Sequence, residues 1–461
     1  MKLALAIILP AVCVVPTVDP GALAAVKLVT LAVIASWIAY SRGAFTALDA
    51  ALGGFAASAI LSMLIAGSPG LTVVCAICMM LVVRGGPVRW DVVELGVACA
   101  AALVAGLAIC ELLGLHVPWA AARRPVSTLG NRNHVASYLL LALPALVAAR
   151  RRWMLAVIVL AVTVIVATRC RSAYLAGGVV GTIAFARDRA RGPIIAIAIG
   201  ICLGAMPWPG VRFAPSVADS AGRVFAYDSG SGLARIHQHE VGLAALAAQP
   251  SHWLTGFGAG SWETVAAERA HREGHTLEYT GALVPSSDLL RIATEQGLLG
   301  LAAIGLAFVL AFRSTRRFAT RITLVAAAIC AAFDPIILRP ECIALLGVVI
   351  GADRASGSTR AWLAPVCALA IVGAAVKLFD HSDGEGRTLV LAHAGRCREA
   401  ERALDPFITR HPLHWGARVS VARCFEREGS RTEALRIWTA AFAIEPHLRA
   451  LVITHRKGPE S

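Results

Sequence analysis

Charged residues are scarce in this chain, and their scarcity argues against a soluble protein. Only 16% of its 461 residues are Asp, Glu, Lys or Arg, whereas 57% are hydrophobic. A water-soluble fold needs far fewer apolar residues, so the composition indicates a membrane protein with many spans. The apolar runs also lack the two-residue alternation of strands and extend for about 15 to 25 residues, as helices require. We therefore predict an all-α, polytopic bundle of about 12 to 13 transmembrane helices.

The apolar segments divide the chain into a membrane part at 1–379 and a polar part at 380–461. Met1 and Lys2 precede the first segment as in a signal peptide, but no clear small-residue cleavage site follows, so we expect a first transmembrane helix there. The segments around Asp334-Pro335 and Arg339-Pro340-Glu341 are also consistent with a re-entrant hairpin. The full set lies at about 3–19, 22–40, 48–66, 70–83, 92–115, 134–149, 153–168, 172–186, 193–208, 287–312, 322–338, 340–352 and 361–379.

Positive charge lies in short clusters between the apolar segments and not on one basic face. We interpret the net charge of +14 as a signal for topology and phosphate handling, not for nucleic-acid binding. If the N-terminus is cytoplasmic, the clusters all fall on the cytoplasmic side, as the positive-inside rule requires. The polar part and the loops at about 116–133 and 209–284 then face outward. The inward clusters are Arg42, Arg84, Arg89, Arg150–Arg152, Arg187, Arg189, Arg191, Arg313–Arg321, Arg354 and Arg360.

Cysteine spacing gives no sign of a metal site. Cys75 and Cys78 form a C-x-x-C motif, but no second ligand pair accompanies them. Most of the 12 Cys lie inside apolar segments and behave there as small hydrophobes. We therefore expect no bound metal.

The polar part contains an internal repeat with a period of 34 residues. Gly-x3-Glu-Ala followed by an apolar helix and a Pro, at this period, is the tetratricopeptide pattern; a plain pair of helical hairpins is the alternative. Two repeats are below the usual minimum of three, so we expect the array to lean on the membrane part or on a protein partner. Cys397 and Cys424 fall on nearby helices, so a disulfide can form in an oxidising compartment. The repeated pairs are Gly395 and Gly429, Glu399 and Glu433, Ala400 and Ala434, and Pro412 and Pro446.

Ionisable residues enter an apolar segment at 285–300. At helical spacing, Asp288, Arg291 and Glu295 share one face of this helix. Ionisable groups are costly inside a membrane unless they are paired or wetted, so they indicate a function there. A structural salt-bridge ladder, with Arg291 between the two carboxylates, is the alternative.

Three segments carry a resemblance to a known family. The first is Ser127–Pro144, which includes Gly-Asn-Arg-Asn-His and Tyr-Leu-Leu-Leu-Ala-Leu-Pro; the second is Thr168–Gly178. The third combines Arg235–Gly260 with Pro285–Gly300. In this order and spacing they resemble the O-antigen ligase/polymerase family of bacterial membrane glycosyltransferases. The resemblance covers about 100–310, and the repeat domain is an appendix seen in some relatives.

The resemblance implies a metal-independent enzyme of the bacterial inner membrane that needs no cofactor, with a cytoplasmic N-terminus and a periplasmic C-terminal domain. Such enzymes transfer a glycan from a polyprenyl-diphosphate carrier to a hydroxyl of a glycan, lipid or protein acceptor at the periplasmic face. Ligase, polymerase and O-linked oligosaccharyltransferase share this donor and chemistry, so the sequence does not separate them. A transporter or flippase, and a catalytically silent scaffold for polysaccharide export, are the alternatives.

Arginine is suited to the donor, since its fork matches two phosphate oxygens. Arg171 and Arg235 are the candidates, with interfacial anchoring as the alternative; Arg123 and Arg124 are weaker candidates. The last motif of the family begins His-Asn, whereas this chain has Ser286-Ser287 followed by Asp288.

The missing His leaves the general base open. Asp288 is the first candidate, and His237, His239 or His275 could substitute for it. Asn131 and Asn133 are also expected at the substrate, with helix capping as their structural alternative, and so are Gly258 and Gly260, with a tight turn as theirs. Ser286 and Ser287 are expected to offer hydrogen bonds to sugar hydroxyls.

Overall fold

The computed structural model describes residues 90–115, 131–149, 151–187, 191–210, 230–258, 285–336, 339–353, 395–410 and 415–444, together with a few single residues between them. The apolar segments predicted before residue 90 and at 361–379 lie outside the described residues. Within the described part the protein is all-α, as predicted, with no strand. The helices are α1 (Trp90–Leu112), α2 (Arg132–Ala148), α3 (Met154–Ala167), α4 (Arg171–Arg187), α5 (Arg191–Ala205), α6 (Gly230–Ala248), α7 (His252–Thr255), α8 (Asp288–Ser314), α9 (Phe318–Phe333), α10 (Pro340–Asp353), α11 (Cys397–Arg410), α12 (Trp415–Glu428) and α13 (Arg431–Ile444).

Two of the described helices, α1 and α8, are long and apolar enough to cross a membrane. The helices α3, α5 and α9 are apolar but shorter. By length and composition, these helices are consistent with association of the chain with a membrane.

The helices of the bundle pack closely because their contacts are made by small residues. On α1, Ala98, Ala101 and Ala105 are fully buried. On α5, a Cβ atom added at Gly204 would lie 2.5 Å from the carbonyl oxygen of Thr163 on α3. Only glycine permits this approach of the two backbones, so α3 and α5 form a tight pair.

The described helices of the bundle run between two ends. At one end, the Arg317 guanidinium lies 4.7 Å from the ring centre of Trp90, and the Arg317 N–H donates to Asp353 Oδ2 at 2.7 Å. These contacts join the start of α1, the start of α9 and the end of α10; we call this the Trp90 end. At the other end, Asn133 at the start of α2 contacts Asp334 after the end of α9.

The helix α9 ends at Phe333, although the apolar segment was predicted to continue to residue 338. Pro335 explains the difference, because a proline disfavours helical geometry at the residue before it. Asp334 accordingly has an extended backbone, with φ −142°. Asp334 therefore lies in the connection between α9 and α10, outside the apolar helices.

The helix α8 is kinked where α7 packs against it. Gly297 has φ 65° inside α8, and a Cβ atom there would lie 2.6 Å from the carbonyl carbon of Leu254. Gly256, with φ 72°, is equally restricted, since its Cβ atom would lie 2.3 Å from the carbonyl carbon of Glu295. The two glycines thus let the α7 turn pack directly on the backbone of α8.

The repeat period is preserved in the structure. Gly395 and Gly429 both have positive φ, and they precede α11 and α13, which each contain 14 residues. A disulfide joins Cys397 of α11 to Cys424 of α12, as the spacing allowed. Assignment to the tetratricopeptide class remains a prediction.

The repeat part packs against the rest of the chain, as expected for an array of only two repeats. Trp415 and Ile444 pack against a buried cluster from α6, α8 and the segment between them. The members of this cluster are Val241, Trp262, Ala266 and Leu290.

Candidate active site

Four polar side chains from distant parts of the chain meet at the end of the bundle opposite the Trp90 end. Asp334 is at their centre, with a side chain only 3% exposed. Arg235 Nη2 donates to Asp334 Oδ1 at 3.4 Å, and Asn133 Nδ2 donates to the same oxygen at 3.2 Å. The hydroxyl of Ser172 donates to Asp334 Oδ2. We call these four residues the Asp334 cluster.

Most residues of the Asp334 cluster lie at the ends of helices. A largely apolar bundle can therefore hold these polar side chains at one of its ends. Asn133 and Ser172 are each the second residue of their helices, α2 and α4. Asp334 follows α9 directly, and its N–H donates to the Cys330 carbonyl at 2.7 Å, which caps that helix. Arg235 reaches the cluster from the second turn of α6. The segments Ser127–Pro144, Thr168–Gly178 and Arg235–Gly260 therefore each contribute a side chain.

Burial and the neighbouring polar groups act on the pKa of Asp334 in opposite directions. Burial raises the pKa of Asp334 above its ordinary value, while the Arg235 cation and the hydrogen bonds from Ser172 and Asn133 oppose the rise. The Cys170 Sγ lies 3.1 Å from the Ser172 hydroxyl, and burial, followed by the Asp334 charge, raises the pKa of this thiol to about 11. The thiol therefore stays protonated at neutral pH, and Asp334 is the titratable group of interest.

Arg235 has donor capacity beyond its contact with Asp334. Its side chain is 16% exposed, and its buried Nε–H has no hydrogen-bond partner among the described residues. A partly exposed guanidinium can donate to phosphate oxygens. Helix α6, which carries Arg235, is held against the segment before α8 by Gln238. Its Oε1 accepts from the Ser286 N–H at 2.9 Å and from the Ser286 hydroxyl at 2.6 Å.

Two of the polar residues predicted at the substrate act as helix caps. Asn131 Oδ1 accepts from the Asn133 N–H at 2.8 Å and caps α2. Ser287 Oγ accepts from the Leu290 N–H at 3.3 Å and caps α8. Capping is the structural alternative considered for Asn131, whereas Ser287 was expected only at the substrate. Capping satisfies N–H groups that the helix itself leaves unpaired.

The glycine turn that resembles the family motif packs against α8. Gly258 has φ 110°, and its N–H donates to the Glu295 carbonyl at 3.1 Å. The Phe257 N–H donates to the Thr294 carbonyl at 2.9 Å. Gly260 lies outside the described residues. The turn therefore fixes the kinked part of α8 through its backbone.

Arg171 and Asp288 lie in segments that reach the Asp334 cluster or the nearby end of α9. Arg171 begins α4 directly before Ser172 and is half-buried. Asp288 begins α8 and is fully buried. The preceding Ser287 donates its hydroxyl to the Ala331 carbonyl at 3.4 Å, which brings this helix start to the end of α9. The segments of Arg171 and Arg235 thus meet at one carboxylate, although they are distant in sequence.

The salt-bridge interpretation of α8 is confirmed for one pair. Arg291 Nε donates to Glu295 Oε1 at 3.0 Å, and both side chains are buried. Asp288 interacts electrostatically with Arg339, in the connection before α10. Buried charges at the start of α8 are thus balanced by arginines of two different elements.

The loop histidines make local contacts. His237 Nδ1 lies 3.0 Å from Glu240 Oε2, and His239 Nδ1 lies 2.8 Å from the Arg235 carbonyl oxygen. The second contact joins residues four positions apart within α6, in the turn that carries Arg235. The other candidates predicted in outward loops lie outside the described residues; they are His275, Arg123 and Arg124.

An apolar cavity of about 1000 Å³ lies beside α4. Tyr174, two residues after Ser172, lines it, and so do Glu94 and Arg317 near the Trp90 end. Between them the lining is almost entirely aliphatic, so the cavity suits a hydrocarbon chain better than a polar ligand. Other lining residues include Leu140, Pro144, Val162, Gly177, Gly178, Gly181, Phe185, Ile197 and Ile322.

Asp334 and Ser172 are the site residues that sequence reasoning missed. Asp334 was noted only where a re-entrant hairpin was considered, whereas Asp288 was selected because it is ionisable beside an apolar segment. The same criterion applies to Asp334, which lies inside the apolar segment predicted at 322–338, and would have found it.

A scan of protein-family models finds no match to this chain, and a search of curated proteins finds no significant relative. Among the described residues, no group of three or more His, Cys, Asp or Glu side chains is placed to hold a metal ion. The function is therefore inferred from the Asp334 cluster, the cavity and the sequence resemblance.

Proposed function

We propose that this protein transfers a glycan from a polyprenyl-diphosphate carrier to an acceptor hydroxyl at the periplasmic face of the bacterial inner membrane. The observation that carries the proposal is the meeting of Asn133, Ser172 and Arg235 at Asp334. These residues come from three segments that resemble one glycosyltransferase family. If the likeness of the three segments had no functional meaning, their side chains would have no reason to meet at one carboxylate.

In the proposed reaction, Arg235 binds the diphosphate of the donor. The bond between the anomeric carbon and the diphosphate oxygen breaks, the acceptor oxygen forms the new glycosidic bond, and polyprenyl diphosphate leaves. Arg235 stabilises the charge that develops on the leaving oxygen, which is usually the largest catalytic contribution. Its partly exposed side chain supports this role. Arg171, at the start of α4, is the candidate for a second phosphate contact.

Asp334 is the proposed general base, and it accepts the proton of the acceptor hydroxyl. A base works best when its pKa approaches the operating pH, and burial moves Asp334 in that direction. Asp288, the base expected from the sequence, interacts electrostatically with Arg339 and is proposed here to stabilise charges at the start of α8. Asn133 and Ser172 orient the Asp334 carboxylate by donating to its two oxygens.

The cavity beside α4 is the proposed site of the polyprenyl chain. It is apolar, and it runs along the helix whose first turn holds Ser172. A diphosphate held at Arg235 would place its lipid tail at this side of the bundle. Binding of the tail to aliphatic walls would anchor the donor and position it for reaction.

The protein is proposed to span the inner membrane several times, with its N-terminus in the cytoplasm and the repeat domain in the periplasm. Support comes from the two apolar helices of membrane-spanning length and from the alternation of the described helices between two ends. Protease added to intact spheroplasts should remove the segment 380–461, because it faces outward. Cleavage of this segment only in inverted vesicles would contradict the orientation.

The activity is tested with purified protein in liposomes that contain a labelled polyprenyl-diphosphate glycan and an acceptor. We expect loss of the donor, release of polyprenyl diphosphate and a labelled acceptor. Arg235→Gln should lower the rate by about 100-fold or more, the usual effect of removing one transition-state donor. Arg321→Gln, which alters an arginine in the first turn of α9 at the Trp90 end and outside the cavity lining, is the matched control and should transfer normally. Donor movement across the bilayer without chemistry would indicate a flippase, and neither activity would indicate a scaffold.

A further inference from the structure

The repeat domain packs against an apolar cluster that the helix carrying Arg235 helps to form. Trp415 and Ile444 pack against a cluster that includes Val241 of α6 and Leu290 of α8. Val241 is fully buried, and Leu290 is 4% exposed. Trp415 also packs against the core of the repeat domain, so it connects the two cores.

Helix α6 connects this apolar cluster to the Asp334 cluster, and close packing limits its movement. Arg235 and Val241 lie six positions apart, about 9 Å along an α-helix. A Cβ atom added at Gly242 would lie 2.9 Å from Leu290 Cδ1 and 3.1 Å from Trp262 Cζ3, so α6 lies directly on its neighbours. Between the two contacts, Gln238 ties α6 to the segment before α8. A shift of α6 at Val241 would therefore move Arg235.

We infer that the repeat domain positions Arg235, with Trp415 and Ile444 as positioning residues that act through Val241 and α6. The inference rests on the proposed function, in which Arg235 binds the donor diphosphate. It assigns the repeat domain a role inside the reaction, in addition to any binding of a partner protein. Neither residue touches the Asp334 cluster itself in the described structure, so their effect must pass through the helix.

Ile444→Ala is the main test variant, because Ile444 contacts the α6 cluster and is not among the described members of the repeat core. Trp415→Ala is the second variant, and Trp415→Phe should restore much of the contact. Leu435→Ala is the matched control, since Leu435 lies on α13 and is 64% exposed. All variants are made in the full-length protein in lipid nanodiscs.

The first readout is hydrogen–deuterium exchange, which needs no glycan substrate. In Ile444→Ala and Trp415→Ala, amides of α6 should exchange about fivefold faster, as expected for the loss of about 1 kcal/mol of contact energy. Amides of α12 should be unchanged in Ile444→Ala, and Leu435→Ala should behave as wild type. Unchanged α6 exchange in both contact variants would overturn the inference. If Trp415→Ala also unfolds the repeats, Ile444→Ala decides.

The second readout is the kinetics of glycan transfer. Ile444→Ala should lower kcat/KM for the donor about fivefold, with a lower kcat, because a displaced Arg235 binds the diphosphate and stabilises the leaving oxygen less well. Trp415→Phe should return kcat/KM toward the wild-type value. Faster α6 exchange with an unchanged kcat/KM would refute the positioning of Arg235. Absence of transfer by the wild-type protein would refute the proposed function alone, since the exchange measurement still reports the coupling.

Discussion

Replacement of Asp334 by Asn separates its proposed role as a base from its structural role. Asn keeps the size of the side chain and an oxygen that can accept from Asn133, but it cannot take a proton. Loss of a general base lowers the rate by about 10²–10⁴-fold. Loss of the charge also leaves Arg235 without its carboxylate, at a cost in stability of roughly 1–3 kcal/mol for a hydrogen bond to a charged group.

The matched control is Asp353→Asn at the Trp90 end. Asp353 is also a buried carboxylate beside an arginine, since its Oδ1 lies 3.8 Å from Arg317 Nε. This control should lose comparable stability and retain full transfer. The double variant Asp334→Asn with Arg235→Gln should recover stability relative to Asp334→Asn, because no buried charge is left unpaired, while transfer stays lost.

The assay combines thermal unfolding in detergent with single-turnover transfer in liposomes across a range of pH. Activity requires the ionised Asp334, so the rate should fall as pH is lowered through its pKa, which burial raises above the ordinary value of 3.8. Arg235 opposes that rise, so the residual activity of Arg235→Gln should be lost at a higher pH than in wild type. Transfer by folded Asp334→Asn within about threefold of wild type would exclude general-base catalysis by this residue.

Three further predictions address the arginine, the disulfide and the glycine turn. Arg235→Lys keeps the charge but loses the fork, so transfer should fall by about tenfold or more in the same liposome assay; an unchanged rate would indicate simple anchoring. Cys397→Ser with Cys424→Ser opens a loop of 27 residues' separation, which should lower the unfolding free energy of the repeat domain by about 3–4 kcal/mol, measured by denaturant titration; no change would argue against this disulfide. Gly256→Ala should destabilise the protein by about 2–5 kcal/mol because of its positive φ and its contact with α8, whereas Gly106→Ala, in open space on α1, should be neutral or slightly stabilising in thermal unfolding.

The sequence predicted the helices well because their signal is local. The segments predicted at 153–168 and 172–186 correspond to α3 (Met154–Ala167) and α4 (Arg171–Arg187). Apolar runs bounded by arginines define such helices without any knowledge of tertiary contacts. The end of α9 was predicted less well, because the apolar run was extended past Pro335. A proline disfavours helical geometry at the residue before it.

The candidate site could be predicted only in pieces. Asn133 and Arg235 were selected from separate motifs, but their common partner Asp334 is 201 positions from Asn133 and 99 from Arg235. Contacts over such distances depend on how whole helices pack, which no local pattern records. Conversely, the hydroxyl of Ser287 serves as a cap, a role that follows from its place directly before a helix.

The measurement that tests the account most directly is a structure of the protein with a bound polyprenyl-diphosphate glycan and an inactive acceptor analogue. The account predicts that diphosphate oxygens accept hydrogen bonds from Arg235, that the polyprenyl chain enters the cavity beside α4, and that the acceptor hydroxyl lies beside the Asp334 carboxylate. A donor bound at the Trp90 end, or with its diphosphate away from Arg235, would contradict it.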